Sequence, residues 1–302
     1  MICPLGLPRD TRIQGTDVKI TIAESAGFCF GVKRAIELAQ ATAAESDQPV
    51  QMLGHIVHNE RVVEQVDKAG VKVIESIEAA QAGILMIRAH GTGPRTYSSA
   101  EEHGLGVVDA TCPLVTEIHG KVKELHEDGY PVMIIGDHGH DEVRGIAAQV
   151  PDAIIIASPD EVDTMPKKRY RRLGIVVQST QNVDNVNAIM TLLVPRCMEI
   201  RFFNTICFPT TKHQTEIRTM PLEHDVMVIV GSFTSANTMR MAEISSELNP
   251  RSYQVTGADG LEPAWFEGAT SVGVHAGAST PDFVIYEVVE GIEGIAEKLG
   301  EA

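Results

Sequence analysis

The chain has 302 residues, of which 43% are hydrophobic, with a formal net charge of −16 and five cysteines. Its mean hydropathy is close to zero, and no apolar run approaches the roughly 18 residues that a membrane helix needs. The acidic balance argues against non-specific nucleic-acid binding, which requires a basic face. An odd cysteine count without a secretory leader argues for a reducing, cytoplasmic setting and against a disulfide framework.

In chain order, the first 17 residues (MICPLGLPRDTRIQGTD) have no apolar leader core and carry Asp10 and Asp17. They are expected to form a flexible extension. Short β-branched runs and helical patterns then alternate. Strands are expected at 18–23 (VKITIA), 84–89, 106–110, 131–136, 153–158, 174–179, 226–231 and 271–276. Helices are expected at 32–45, 113–129, 183–194, 238–248 and 281–300. The last of these has Thr280 as its N-cap and Pro281 in the first turn, where a missing N–H costs nothing. Continuous apolar strands between helices imply an α/β fold with parallel sheets covered on both faces. The basic run KKRYRR (167–172) reads as a solvated loop. No long Pro/Gly/Ser linker divides the chain, so its units are expected to pack tightly.

Three cysteines stand where a strand gives way to a helix: Cys29 in ESAGFCFGVKRA, Cys112 in VVDATCPLVTEIHG and Cys207 in FFNTICFPTTKHQ. They lie 83 residues apart from Cys29 to Cys112 and 95 apart from Cys112 to Cys207. Three similar units, each offering one thiolate, point to a shared metal centre with one position left open for substrate. A helix N-terminus also lowers a thiol pKa, which favours ligation. Structural zinc sites usually contain a C-x2–4-C pair, and this chain has none. Soft sulfur ligation without such a pair favours an iron–sulfur cluster over zinc, while the spacing alone leaves the metal open. Cys3, in the extension, and Cys197, after a proline-containing break, lack this context.

Polar residues gather at six strand-to-helix turns: GHIVHNE (His58), AHGTGP (His90), GDHGHDE (His140, Glu142), QSTQN (Ser179, Thr180), GSFTSANT (Ser235, Asn237) and HAGASTPD (Ser279). Such turns are where open α/β sheets bind ligands, and helix N-termini there favour anions. With few Lys or Arg present, dipoles and neutral donors would hold the anion, which makes a diphosphate pocket. His103, His119, His126, His213 and His224 read as surface residues. His138 and His140 beside Glu142 suggest a proton relay, while Glu142 could equally serve as a first-turn carboxylate stabilising a helix dipole. Ser179, Thr180, Ser235, Asn237 and Ser279 are also natural N-caps, a role compatible with ligand binding.

Together GFCFGVKRA, VHNE, AHGTG, DATCPLVT, GHDE, the QST turn, NTIC, GSFTSANT and AGASTPD resemble the 4-hydroxy-3-methylbut-2-enyl diphosphate reductase family, over roughly residues 18 to 290 and in matching order. The resemblance implies a trefoil of three pseudo-equivalent α/β domains, here 18–112, 113–206 and 207–302, around a [4Fe-4S] cluster with one open iron site. It implies Cys29, Cys112 and Cys207 as cluster ligands and His58, His90 and His140 as pocket residues. Glu142 would deliver protons, with Ser179 in the place of a family threonine beside it. Ser235, Asn237 and Ser279 would contact the diphosphate, with Thr180 and Thr210 as weaker candidates. The implied reaction is reductive dehydroxylation of (E)-4-hydroxy-3-methylbut-2-enyl diphosphate to isopentenyl and dimethylallyl diphosphate, the last step of the methylerythritol phosphate route, with ferredoxin or flavodoxin as electron donor. Asp141, Ala236 and the Phe208–Pro209 pair depart from the family pattern in pocket detail, and the N-terminal extension is longer than usual. A second class of reading is a non-catalytic three-cysteine metal-binding or redox-sensing module, which has no use for the six polar turns. A third is a Cys–His hydrolase, in which only one cysteine would matter for turnover.

Overall fold

A computed structural model describes residues 10–12, 18–165 and 169–300. Cys3 and Lys167–Lys168 therefore lie outside the described residues, as does most of the segment expected to be flexible. Within that segment, however, Asp10–Arg12 form a strand, β1, that pairs antiparallel with β2 (Lys19–Ile22).

Three sheets carry the fold, and every pairing except β1–β2 is parallel. The first has the order β1-β2-β13-β11-β12 and adds β11 (Val226–Val230), β12 (Ser252–Val255) and β13 (Ser271–Ala276). The strand expected to open the first domain thus pairs with β13, close to the end of the chain. The second sheet, β4-β3-β5-β6, uses β3 (Val50–Leu53), β4 (Val71–Ile74), β5 (Ile84–Ile87) and β6 (Gly106–Asp109). The third, β10-β9-β7-β8, uses β7 (Val132–Ile135), β8 (Ile154–Ile156), β9 (Leu173–Val177) and β10 (Ile200–Phe202).

The described residues fall into two compact units. One takes those up to Phe30, His58–Val62 and those from Phe208 onward, and holds the first sheet. Its helices are α8 (Phe208–Glu223), α9 (Ala236–Leu248) and α10 (Asp282–Gly300). The other takes Gly31–Val57 and Val63–Cys207 and holds the remaining two sheets. With them come nearly all of α1 (Phe30–Glu45), most of α2 (Glu60–Lys68), and α3 (Pro94–Glu102), α4 (Pro113–Glu127), α5 (Asp141–Ala147), α6 (Pro159–Thr164) and α7 (Val183–Leu193).

β7 shows why these strands read as unbroken apolar runs. Successive side chains point to opposite faces. Val132 and Ile134 pack with Ile118, Val122 and Leu125 of α4, and Met133 and Ile135 pack with Val186 and Ile189 of α7. With both faces covered, no position is left for a polar residue. β3 escaped the sequence reading because Gln51 interrupts its apolar run. That side chain is buried and satisfied on both sides, donating to Gln81 O at 2.8 Å and accepting from Gln81 N at 2.8 Å.

Candidate functional site

In the unit that holds β2 and β11–β13, three polar turns leave the C-terminal ends of adjacent parallel strands, β2, β13 and β11. The first ends at Cys29, whose N–H donates to Ala278 O in the second at 3.1 Å. In that second turn Ser279 Oγ donates to His58 O at 3.4 Å. The third turn starts at Gly231, whose φ of +148° and proximity to Thr238 and Thr280 exclude a side chain. It ends at Ser235, the N-cap of α9, which accepts from Thr238 N at 3.4 Å. Ser232 donates to Glu60 Oε1 at 2.8 Å, bracing the turn from the VHNE segment. Asn237 is buried in the first turn of α9, and its Nδ2 donor has no protein partner. An orphaned amide at the N-terminus of a 13-residue helix suits an anionic oxygen. Thr210, the weaker candidate, is buried in α8. The hydroxyl of Thr280, expected to cap α10, donates instead to Val230 O at 3.0 Å and pins its turn to β11.

In the other unit, the strand-end turns of two sheets meet. Cys112 is the N-cap of α4, its N–H donates to Ala89 O at 3.0 Å, and its thiol makes no capping bond. A Cβ on Gly31 would fall 2.5 Å from Cys112 Sγ, so only glycine leaves the sulfur its space. Gly91, at φ +72°, follows His90 and would strike His119 and Thr111 if it bore a side chain. The His90 and His140 rings meet edge-on, with centroids 5.7 Å apart. α5 packs directly on the turn after His90. Gly145 abuts the Gly91–Thr92 backbone and Gln149 donates to Thr92 O at 3.0 Å.

His140 is the N-cap of α5, its Nδ1 accepting from Glu142 N at 3.3 Å, so a neutral ring carries its proton on Nε2. Glu142 is 3% exposed. Its Oε1 accepts from Ser179 N at 2.7 Å and its Oε2 from Ser179 Oγ at 2.8 Å. Burial raises its pKa above the usual carboxylate range; the two Ser179 bonds oppose that shift, and Asp137 adds to it. The same serine passes its carbonyl to Cys207 N at 3.0 Å. Gln178, fully buried, staples the turns after β7 and β9 by accepting from Asp137 N at 2.8 Å and donating to Thr180 Oγ1 at 2.9 Å. Asp141, one of the departures from the family pattern, pairs with Arg88 at 2.6 Å. This unit therefore brings together the turns carrying His90, Cys112, His140, Glu142, Ser179, Thr180 and Cys207, while Cys29, His58, Ser235, Asn237 and Ser279 share the other.

Several expectations need correction. His138, grouped with the relay, turns outward to Glu161 at 2.9 Å. His119 and His224 are half-buried and His213 is buried, because each faces inward from its helix or turn; only His103 and His126 of that group are exposed. His119 is driven down to a pKa of about 4 by burial. Cys197 lies in an isolated bridge with Tyr170, and burial pushes its thiol pKa up, so it lacks the features of a ligand. Gln178, Arg88, Glu60 and Asp141 were passed over as functional positions. Each acts through a partner distant in sequence, and spacing carries no signal of that.

The chemistry of the donors fits an iron–sulfur centre. Cys29, Cys112 and Cys207 form no disulfide, are partly accessible, and each immediately precedes a helix. Comparison with known proteins gives the family. The profile of the LytB protein family matches residues 20–293. The 4-hydroxy-3-methylbut-2-enyl diphosphate reductase of Geotalea daltonii is 40% identical over 281 residues, 93% of this chain and 99% of that protein. A solved structure of (E)-4-hydroxy-3-methyl-but-2-enyl diphosphate reductase, described as the terminal enzyme of the non-mevalonate pathway, superposes with a TM-score of 0.69 at 38% identity, covering 91% of this chain and 99% of that one. A reductase structure from Plasmodium falciparum gives a TM-score of 0.84 at 27% identity, covering 90% and 86%. A match of this extent, over a fold of the same α/β class and with the motif turns gathered as described, places the chain in the LytB family.

Proposed function

We propose that the protein removes the hydroxyl group of (E)-4-hydroxy-3-methylbut-2-enyl diphosphate reductively, yielding isopentenyl and dimethylallyl diphosphate. The alcohol takes up two electrons and two protons and releases water, which balances the step. Cys29, Cys112 and Cys207 would hold a [4Fe-4S] cluster which, when bound, supplies the electrons and a Lewis-acidic iron for the hydroxyl oxygen. A reduced ferredoxin or flavodoxin would act as donor. No helix among the described residues is long and apolar enough to cross a membrane, in keeping with a cytoplasmic enzyme acting on a charged small molecule.

The observation that carries the reading is the state of Glu142. Burial displaces its pKa upward, toward the protonated form from which a carboxyl can protonate a departing hydroxyl. Ser179 fixes both of its oxygens, so the acid is oriented before substrate arrives. His140 offers Nε2–H from the adjacent N-cap. Ser235, Asn237 and Ser279 supply neutral donors beside a helix N-terminus, as a diphosphate held without lysines requires. His58, His90 and Thr180 complete the proposed pocket.

Anaerobic purification followed by iron and sulfide analysis, then an alcohol-diphosphate reduction assay, tests the proposal. Cys29→Ser, Cys112→Ser and Cys207→Ser should each lose the brown colour and the activity. A full cluster retained in all three variants would refute the ligand set.

A further inference from the structure

A partly buried acid beside two buried imidazoles lies next to the Cys29 turn and plays no part in the chemistry above. Glu216, on α8, accepts two bonds on one oxygen: Ser25 N–H at 2.9 Å and Ser25 Oγ–H at 2.6 Å. His275, fully buried on β13, approaches the same Oε2 with its Nε2 at 3.5 Å. Its Nδ1 accepts from Ala276 N at 2.8 Å, which leaves the proton of a neutral ring on Nε2, facing the carboxylate. His213, on α8, backs this ring with centroids 5.2 Å apart. Burial lowers the pKa to about 3 for His213 and about 4 for His275, so both rings are neutral at physiological pH. One carboxylate oxygen is therefore held by both donors of a single serine, with the His275 ring close by but making no hydrogen bond to it.

That serine sits in the segment that ends at a proposed ligand. Backbone bonds fix the two ends of the turn: Ala23 N to Val274 O at 2.8 Å and Cys29 N to Ala278 O at 3.1 Å. Between them the chain passes through Gly27 at φ +99°. Ser25 anchors this span inward on Glu216, while Glu24 pairs outward with Lys212 at 3.0 Å on the surface. Packing alone does not call for such a network, since buried polar groups cost stability unless partnered. We propose that Glu216 is a positioning residue for Cys29: through its two bonds to Ser25 it locks the Ala23–Phe28 turn so that the thiolate is presented to the metal centre in one orientation. This inference rests on the reading of Cys29 as a ligand.

Two measurements on Glu216→Ala, Glu216→Gln and Ser25→Ala test it, one without metal and one with. In the metal-free protein, amide hydrogen exchange at Ser25–Cys29 should accelerate about tenfold or more in Glu216→Ala, the factor expected from losing a hydrogen bond to a charged group. Amides of β11 and α10 should keep their wild-type rates. In the iron-loaded protein, release of iron to ferrozine should quicken by a similar factor and the electron paramagnetic resonance signature of the reduced cluster should shift. Glu216→Gln, which can still accept one Ser25 bond, should fall between. If Glu216→Ala does not fold, Ser25→Ala carries the comparison, because it removes one bond and leaves the carboxylate in place. Exchange and iron release within twofold of wild type overturn the proposal. So does a uniform rise in exchange across the sheet, which would mark a purely structural role. A wild-type protein without iron, or a full cluster in Cys29→Ser, would defeat the ligand reading, and the metal-free exchange would still report whether Glu216 holds the turn.

Discussion

Glu142 accepts on both oxygens from one neighbour, and its burial opposes ionisation. Replacing it with glutamine preserves shape and one acceptor but removes the transferable proton. Glu142→Gln should retain iron and bind substrate with nearly unchanged KM, while kcat falls about 10²- to 10⁴-fold. The same substitution affects stability. A carboxyl whose folded pKa is raised stabilises the protein below its unfolded pKa, and that contribution is lost as pH rises through the folded value. Glu142→Gln should therefore unfold at a higher temperature than wild type near pH 7, with the gap closing below about pH 4, the ordinary glutamate range; thermal scans across pH check this. The position of Glu142 on a strand-to-helix turn was legible from its motif. Its fixation by Ser179 N–H was not, because that bond joins positions 37 residues apart.

At the scale of elements, α5 has only seven residues and cannot persist without tertiary support. The Arg88–Asp141 pair supplies part of it, with both side chains about 20% exposed. Arg88→Ala leaves Asp141 beside Glu142 and Asp137 without its counter-charge. It should destabilise the protein by about 1–3 kcal/mol, less than a fully buried pair would give. Arg88→Ala/Asp141→Ala should cost less than the sum of the single changes, and denaturant melts of the four-member cycle would read the coupling. Asp141 looked like a departure from the family pattern in sequence and is explained only by its partner on another sheet. The long apolar strands and their helices, in contrast, were legible because covering both faces of a parallel sheet writes continuous hydrophobic runs. β3, β4, β10 and β12 each carry a polar or charged residue (Gln51, Lys72, Arg201 and Gln254) that breaks the run, whereas the equally short β7 and β8 are unbroken and showed.

Across the whole molecule, desolvated imidazoles, His119 among them at about 4, weaken the fold in acid. The folded pKa values of His213 and His275 are depressed to about 3 and about 4, so unfolding takes up protons below the ordinary histidine value of about 6.5. Stability should be intact above that value and decline as pH falls toward 4. Thermal midpoints from pH 7 to 4.5 should show it, and His213→Gln should flatten the slope by about one proton. The α/β class with parallel sheets was evident in the sequence. The placement of β2 was not, since nothing local in KITI says which distant strand completes it.

That pairing has a consequence for how the protein is made. β2 lies between β1 and β13, and the carbonyl that receives the Cys29 amide belongs to Ala278. The ribosome therefore releases Cys29 early and its scaffold almost last, a delay on the order of ten seconds or more at ordinary translation rates. Until then the nascent amino end has no template to dock on. On the proposed assignment of Cys29 as a cluster ligand, loading of that position would follow completion of the polypeptide, and the thiol would be open to oxidants in the meantime.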